Sequence, residues 1–193
     1  MPRAVTHVLF GINKAIAFEW IAQHLDAERF RSDFVFIGEA PGETQQALAQ
    51  AGHAVRFLPY SGKKDLPRLV WQLVVHYRRR GTEVVHAHLE TAGLAGLLAA
   101  RLAGVPRRVY TRHHSDYNHA YFPHAVRKDK WINHLATDVV AISENVWDIL
   151  HNWEGVPRRK LHLIHHGFDL AGFQQVSPER VDALRTKYQL AGA

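Results

Sequence analysis

Residues 83–114, EVVHAHLETAGLAGLLAARLAGVPRRVYTRHH, contain a complete strand-helix-strand unit. A short apolar run at 83–87 predicts a strand, and the segment 91–103, rich in Ala, Leu and Gly, has the length of a helix. Gly104 stands where a left-handed C-terminal cap closes a helix, and a second strand is predicted at 108–111. Because strands joined by a helical crossover run parallel, this unit predicts a parallel sheet.

The same alternation extends over most of the chain. Consecutive Val, Ile and Phe residues are typical of strands that are buried on both faces of a sheet. Gly52 and Gly81 follow two further helices at the position of a left-handed cap. The fold class predicted is therefore α/β, a Rossmann-like, doubly wound and mainly parallel sheet. Its predicted strands are 5–10, 33–37, 54–58, 83–87, 108–111, 138–142 and 161–164, and its predicted helices are 17–25, 43–51, 66–80, 91–103 and 144–153.

Composition narrows the class of protein. The 193 residues, 47% of them hydrophobic, are enough for one compact domain. The net charge of +6 favours anionic partners, but the basic residues are scattered and accompany no nucleic-acid motif, so nucleic acid is not expected. The absence of cysteine excludes disulfides and thiolate zinc sites. The longest small-apolar stretch, from Ala92, is broken by Arg101 and is too short to span a bilayer, so we expect a cytoplasmic protein.

Polar residues gather where the fifth predicted strand ends. Arg112, His113, His114 and Asp116 follow that strand directly, and ligands of open α/β sheets bind beyond the carboxyl ends of the strands. A merely solvated loop is the alternative. Four other segments reach the same predicted edge, which favours a functional crevice: GINK (11–14), HAHLE (86–90), ISEN (142–145) and HHGFD (165–169).

His86 and His88 lie two residues apart and point to the same face if the strand continues that far. Such a pair would suit a metal, but spacing along the chain supplies no third ligand, and no metal site is predicted. We expect His88 at the crevice and His86 in packing.

The segment KKDLPRLVWQLVVHYRRR, 63–80, reads as an amphipathic helix with basic residues at both ends. Packing of its apolar stripe on the sheet is favoured over insertion into a membrane. An anionic membrane surface is left open as a partner, with peripheral attachment to the inner face of the membrane, through Lys63, Lys64, Trp71 and Arg78 to Arg80.

Several short motifs stand at characteristic spacings in the second half of the chain. Ser143 and Glu144 open a predicted helix, Gly155 to Pro157 form a turn, Lys160 precedes a strand, and Gly167, Asp169 and Phe173 follow it. From about Glu83 onward the chain thereby resembles the amino-terminal, acceptor-side half of retaining glycosyltransferases of the GT-B fold, of the large family 4 type. It departs from that family in two places: Gly11 is followed by Ile12 and Asn13, where a glycine pair is common, and His166 replaces the usual asparagine.

The resemblance implies a hexosyltransferase-like enzyme that moves a sugar from a nucleotide-sugar to a hydroxyl of a sugar or lipid-linked acceptor, with retention and without a metal cofactor. It also implies that residues 1–170 are one half of a GT-B architecture. Residues 171–193 would be a linker toward a donor-binding domain that this chain lacks and that is supplied in cis or in trans. The isolated domain is then expected to be inactive. A non-catalytic sugar- or nucleotide-binding module and a GT-B type nucleotide-sugar epimerase are the alternatives.

The resemblance also assigns site residues. His113 matches the histidine of a Thr-x-His pattern, with Thr111 before it, and is the catalytic candidate as a hydrogen-bond donor to the sugar or the leaving group. An imidazole suits this task because its ordinary pKa is near neutrality. The acceptor- or donor-binding candidates are Gly11, Asn13, His88, Arg112, His114, Asp116, Ser143 and Glu144.

Overall fold

A single parallel sheet organises the chain, and its strand order places the ligand-binding edge. The computed structural model describes residues 1–170 and 177–190, so Phe173 and the parts of the predicted linker at 171–176 and 191–193 lie outside the described residues. The strands are β1 (Arg3–Phe10), β2 (Phe30–Gly38), β3 (Ala54–Pro59), β4 (Val84–His88), β5 (Arg107–Arg112), β6 (Asp138–Ala141) and β7 (Leu161–Leu163). Their order across the sheet is β3-β2-β1-β4-β5-β6-β7, which confirms the predicted architecture. The strand order changes direction between β1 and β4.

Helices connect the strands, and the predicted glycine caps are present. Gly52, Gly81 and Gly104 have φ angles of 85°, 62° and 81°, the left-handed region that glycine adopts without strain. The predicted linker range contains a helix, α8, and its role as a linker stays a prediction. The helices are α1 (Ile16–His24), α2 (Glu43–Gln50), α3 (Leu66–Arg80), α4 (Glu90–Ala103), α5 (Tyr117–Tyr121), α6 (Val126–Leu135), α7 (Glu144–Asp148, continued by a π-helical turn, Ile149–Trp153) and α8 (Pro178–Lys187).

Two hydrophobic clusters cover the two faces of the sheet. Neighbouring residues of one strand point to opposite faces, so Val8 joins one cluster and Leu9 the other. The first cluster buries the apolar stripe of α3, which confirms its packing on the sheet, while Trp71 of the same helix stays 64% exposed. The second cluster includes Phe18 of α1 and Leu48 of α2. The sheet is therefore covered on both faces, as in a doubly wound fold.

The small residues of α4 let this helix lie close to the centre of the sheet. A Cβ atom on Gly93 would come within 2.8 Å of Cε2 of Tyr110, and one on Gly96 within 3.5 Å of the Tyr77 hydroxyl. This close packing fixes the point at which β4 passes into α4. Within residues 1–170 and 177–190, none of the helices combines the length and the apolar character needed to cross a bilayer.

Candidate active site

A cavity of about 580 Å³ opens at the carboxyl edge of the sheet. Four of the five segments predicted to reach this edge contribute to its wall, and α1 forms the opposite side. Most of the predicted functional edge therefore lines a single cavity. Its lining includes Phe18, Trp20 and Ile21 from α1, His86 and His88 from β4, Thr111 and His113 from β5 and its loop, Ile142 after β6, and His165 to Asp169 after β7.

His113 lies in this cavity, as expected for the catalytic candidate. Its Nε2 atom is 3.3 Å from Nδ1 of His88, and its ring centroid is 5.5 Å from that of His166. Burial, together with His166 and His114, lowers the pKa of His113 to about 4. The ring is therefore neutral at pH 7, with one N–H donor and one acceptor nitrogen.

His88 and His86 both line the cavity, although His86 was expected in packing. His86 Nε2 lies 2.7 Å from Oγ1 of Thr111, so β4 and β5 are linked just below the cavity. Burial and neighbouring imidazoles lower the pKa of His86 to about 3 and that of His88 well below its ordinary value. The floor of the cavity is thus a group of neutral imidazoles.

Arg112 does not face the crevice, contrary to the sequence-based expectation. It is the last residue of β5, and strand alternation turns its side chain to the face opposite that of Thr111. There the side chain is fully buried, with Nη2 at 2.8 Å from Oε1 of Glu154 and 3.1 Å from Oδ2 of Asp129. The two carboxylates thus compensate the charge of the buried guanidinium, and Arg112 has a structural role as the cation of this ion pair.

This ion pair also holds the loop that carries His113. The Nε atom of Arg112 donates to the carbonyl oxygen of His114 at 3.0 Å. Burial acts to raise the pKa of Asp129, but the nearby His114 imidazole, the charge of Arg112 and a hydrogen bond from Asn118 outweigh it and hold this pKa below its usual range. Neither Asp129 nor Glu154 was predicted as part of this region. The one indication in the sequence was strand alternation, which turns the Arg112 side chain to the buried face.

The remaining candidates of this loop also lie outside the cavity lining. The His114 ring turns toward Asp129, with Nε2 at 3.6 Å from Oδ2. Asp116 is exposed and accepts a hydrogen bond from the Ser115 hydroxyl at 2.9 Å. Of the four polar residues predicted for the crevice here, His113 is therefore the one that the structure places in it.

Gly11 and Asn13 line a second cavity of about 450 Å³, beyond the ends of β1, β2 and β3. Asn13 is held by α2, since its Oδ1 accepts from the Glu43 backbone N–H at 3.3 Å. Gly11 has a φ of 63°, a left-handed turn at the end of β1. These two candidates share the sheet edge with His113 but do not line the same cavity.

Ser143 and Glu144 lie at the start of α7. The Ser143 hydroxyl accepts a hydrogen bond from the Val146 backbone N–H at 3.3 Å and caps the helix. Glu144 is exposed. Neither side chain is among those that line the two cavities.

A seven-stranded parallel sheet with a cleft at its carboxyl edge and helices on both faces is a Rossmann-like domain, of the kind that forms one half of the GT-B fold. The profile of Glycosyltransferase Family 4 matches residues 20–171. The chain belongs to this family.

Individual proteins match the chain over about half of their own length. EpsF of Bacillus subtilis (strain 168), named as a glycosyltransferase, is 25% identical, over 89% of this chain and 47% of EpsF. The Anabaena protein Alr3699/HepE, solved in complex with UDP and glucose, superposes with a TM-score of 0.74 at 18% identity, over 99% of this chain and 51% of its own. The UDP-GlcNAc 2-epimerase of Methanocaldococcus jannaschii gives 0.65 at 13% identity, over 83% and 45%. At these identities the structural matches establish the fold alone.

Proposed function

We propose that this chain is the acceptor-side domain of a retaining glycosyltransferase that transfers a hexosyl group from a UDP-sugar to an acceptor hydroxyl. The observation that carries the proposal is the position of His113, which follows β5 in the Thr-x-His pattern and lies in the main cavity beside His88. Membership of Glycosyltransferase Family 4 supports the reaction class. The complex of HepE with UDP and glucose supports UDP as the nucleotide.

His113 acts in this proposal as a neutral hydrogen-bond donor. Negative charge grows on the leaving phosphate as the anomeric bond loosens, and donors fixed in advance at that point lower the barrier. If His88 donates from Nδ1 to Nε2 of His113, the proton of His113 is on Nδ1 and is available to the sugar or the leaving group. The transfer then needs no metal ion, because protein donors stabilise the leaving group.

A second domain supplies most of the donor site in this proposal. The chain spans about half the length of EpsF and of HepE. We propose that a donor-binding domain, joined in cis or contributed in trans, closes over the cavity, and that the isolated chain is inactive for this reason.

The acceptor in this proposal is a sugar or a lipid-linked molecule. Phe18, Trp20, Ile21 and Phe168 give one side of the cavity an apolar and aromatic surface. Aromatic faces of this kind suit the apolar face of a sugar ring or the start of a lipid chain. An anionic membrane surface, met by the exposed Trp71 and the basic residues of α3, would bring a lipid-linked acceptor to the cavity.

Immunoblotting of the source cells with antiserum against this chain tests the two-domain arrangement. A band of about 40 kDa, two domains of this size, identifies a conventional two-domain transferase. A band near 22.0 kDa indicates a chain that works alone or with a separate partner, and favours a binding module or an enzyme divided between two chains. The active polypeptide is then given UDP-glucose with and without a membrane lipid extract from the same cells.

The expected result is UDP release that depends on the extract, with the anomeric configuration of the donor kept in the product. Release of UDP without any acceptor indicates the epimerase alternative. Binding of UDP-glucose without release indicates a binding module, and either result overturns the proposal.

A further inference from the structure

Three imidazoles converge at the point where the strand order of the sheet reverses. His7 of β1 and His86 of β4 are direct neighbours in the parallel register, and His88 lies on the same face two residues further along β4. One ring nitrogen from each histidine lies within 4.8 Å of the other two. His7 is the third member that sequence spacing could not supply, because it belongs to a different strand.

Several nitrogens of this group are buried without a hydrogen bond. Among the described residues, neither ring nitrogen of His7 has a hydrogen-bond partner, and the same is true of Nε2 of His88. Leaving a buried polar atom unpaired is unfavourable, and three such atoms lie in one cluster. Because a neutral imidazole has one lone pair, a bound metal ion would pair one nitrogen of His7 and Nε2 of His88, two of these three atoms.

The other nitrogens of the pair on β4 are already held by neighbours. Nε2 of His86 lies 2.7 Å from Oγ1 of Thr111, and Nδ1 of His88 lies 3.3 Å from Nε2 of His113. Histidines that bind a metal usually use the second ring nitrogen in this way, which fixes the tautomer and orients the ring. His7 is held by stacking on Phe34, with ring centroids 5.0 Å apart.

The protonation state of the cluster also suits a metal. Burial lowers the pKa of His7 to about 4 and, with neighbouring imidazoles, that of His86 to about 3. Metal binding requires the neutral imidazole, so at pH 7 no proton has to be displaced from the ligand nitrogens.

We propose that His7, His86 and His88 bind one zinc ion between β1 and β4, with a fourth coordination position open to the main cavity. Three imidazoles without a thiolate are an established ligand set for Zn²⁺, and a fourth position is filled by water or a ligand. Tetrahedral coordination at the usual Zn–N length places the nitrogens about 3.4 Å apart, so separations of up to 4.8 Å must shorten by at most about 1.4 Å. Both His86 and His88 line the cavity, which gives the ion its entry path.

The ion takes no step in the proposed sugar transfer, so a failure of the zinc proposal leaves the proposed function untouched, and the reverse also holds. It joins β1 to β4 and holds His88, the hydrogen-bond neighbour of His113, in one orientation.

The test is a titration of the untagged, chelator-treated chain with Zn²⁺, by calorimetry, and with Co²⁺, by visible absorption. We expect one tight site per chain, a rise in the thermal unfolding midpoint with zinc, and the absorption of tetrahedral Co²⁺. His7→Phe keeps the stacking on Phe34 but removes a ligand, and is expected to weaken zinc binding by roughly 100-fold or more. His162→Ala is the control, because this exposed histidine of β7 lies outside the cluster, and it should bind zinc as the parent chain does.

His88→Gln is a second variant, should His7→Phe not fold, and circular dichroism establishes the fold of each. A folded His7→Phe or His88→Gln variant that binds zinc as tightly as the parent overturns the proposal. So does a parent chain without a tight stoichiometric site.

Discussion

The Nδ1 atom of His88 lies 3.3 Å from the Nε2 atom of His113, across the carboxyl ends of β4 and β5. On its other side the His88 ring contacts His86, with centroids 4.1 Å apart, and His113 faces His166 at 5.5 Å. A row of imidazoles therefore runs from the switch point of the sheet to the segment after β7. The catalytic candidate His113 lies between His88 and His166 in this row, so its orientation depends on neighbours from two other segments.

Replacing His113 should separate catalysis from stability. In the active two-domain enzyme, His113→Ala is expected to lower turnover at least about 100-fold, because a hydrogen-bond donor to the developing charge is lost. Its effect on the free energy of unfolding should be small, since His113 is only partly buried. The measurements are UDP release and urea denaturation, with His162→Ala as the control. Unchanged turnover in His113→Ala would remove this residue from the mechanism.

Replacing Arg112 should mainly lower the stability of the fold. Arg112→Met leaves the buried carboxylates of Asp129 and Glu154 without their counter-charge, and we expect the free energy of unfolding to fall by about 3–5 kcal/mol. Urea denaturation measures this loss.

The control for Arg112 is Arg107→Met in the same strand. The Arg107 side chain is exposed, and its Nη1 atom lies 3.9 Å from Oδ2 of Asp138, so this ion pair is weak. Its removal should change the free energy of unfolding by about 1 kcal/mol or less. If Arg112→Met were no more destabilising than Arg107→Met, the buried network would not be what holds the His113 loop.

The sheet could be predicted from the sequence because its strands are buried on both faces and three of its connecting helices, α2, α3 and α4, are followed by glycine caps. Strand runs such as 33–37 are apolar at nearly every position, a pattern that tolerates small errors at the ends. Helix α6 was not predicted because its buried face is partly polar. Two of its buried residues, Asp129 and Asn133, are polar, since they face Arg112 and Glu154, and this interrupts the hydrophobic periodicity.

The sequence predicted that the candidate site lies at the carboxyl edge of the sheet, but not which side chains meet there. Strand order brought His88 and His113 together, as expected for neighbouring parallel strands. The place of His7 beside His86 depends on the register between β1 and β4, strands far apart in the chain, and no spacing in the sequence encodes it. Arg112 was misplaced because β5 continues one residue beyond its predicted end at Thr111, and strand alternation turns the Arg112 side chain to the other face.

The buried histidines should make the metal-free chain less stable as the pH falls. The pKa of His7 is lowered to about 4 in the folded chain, against an ordinary value near 6.5 in the unfolded chain. Above pH 6.5 both states are neutral and stability is complete. Between pH 6.5 and about 4 the unfolded chain binds a proton that the folded chain rejects, so stability falls by up to about 1.4 kcal/mol per pH unit for each such histidine.

Urea denaturation in chelator, from about pH 7.5 to about pH 4.5, measures this dependence. His86, with a pKa of about 3, adds a second proton over the same range. In His7→Phe the slope should be smaller by about one proton. An identical slope in the variant and the parent would show that His7 is not buried in its neutral form.

Gly42 offers a way to disturb the second cavity without touching the first. A Cβ atom at this position would lie 2.6 Å from the carbonyl oxygen of Ile12 and 2.7 Å from that of Asn13, and backbone atoms cannot yield as a side chain can. Gly42→Ala should therefore cost about 1–3 kcal/mol in urea denaturation and displace the loop after β1. In Gly62→Ala, the control, the added Cβ meets nothing within 4 Å, so stability should change by about 0.5 kcal/mol or less.

The displaced loop carries Gly11 and Asn13, which line the second cavity and not the one that holds His113. If these residues bind substrate, Gly42→Ala in the active enzyme should raise the KM for donor or acceptor and leave kcat close to that of the parent. His113→Ala should mainly lower kcat. A fall in kcat without a change in KM in Gly42→Ala would instead mean that the loop takes part in the chemical step, and that the two cavities act as one site.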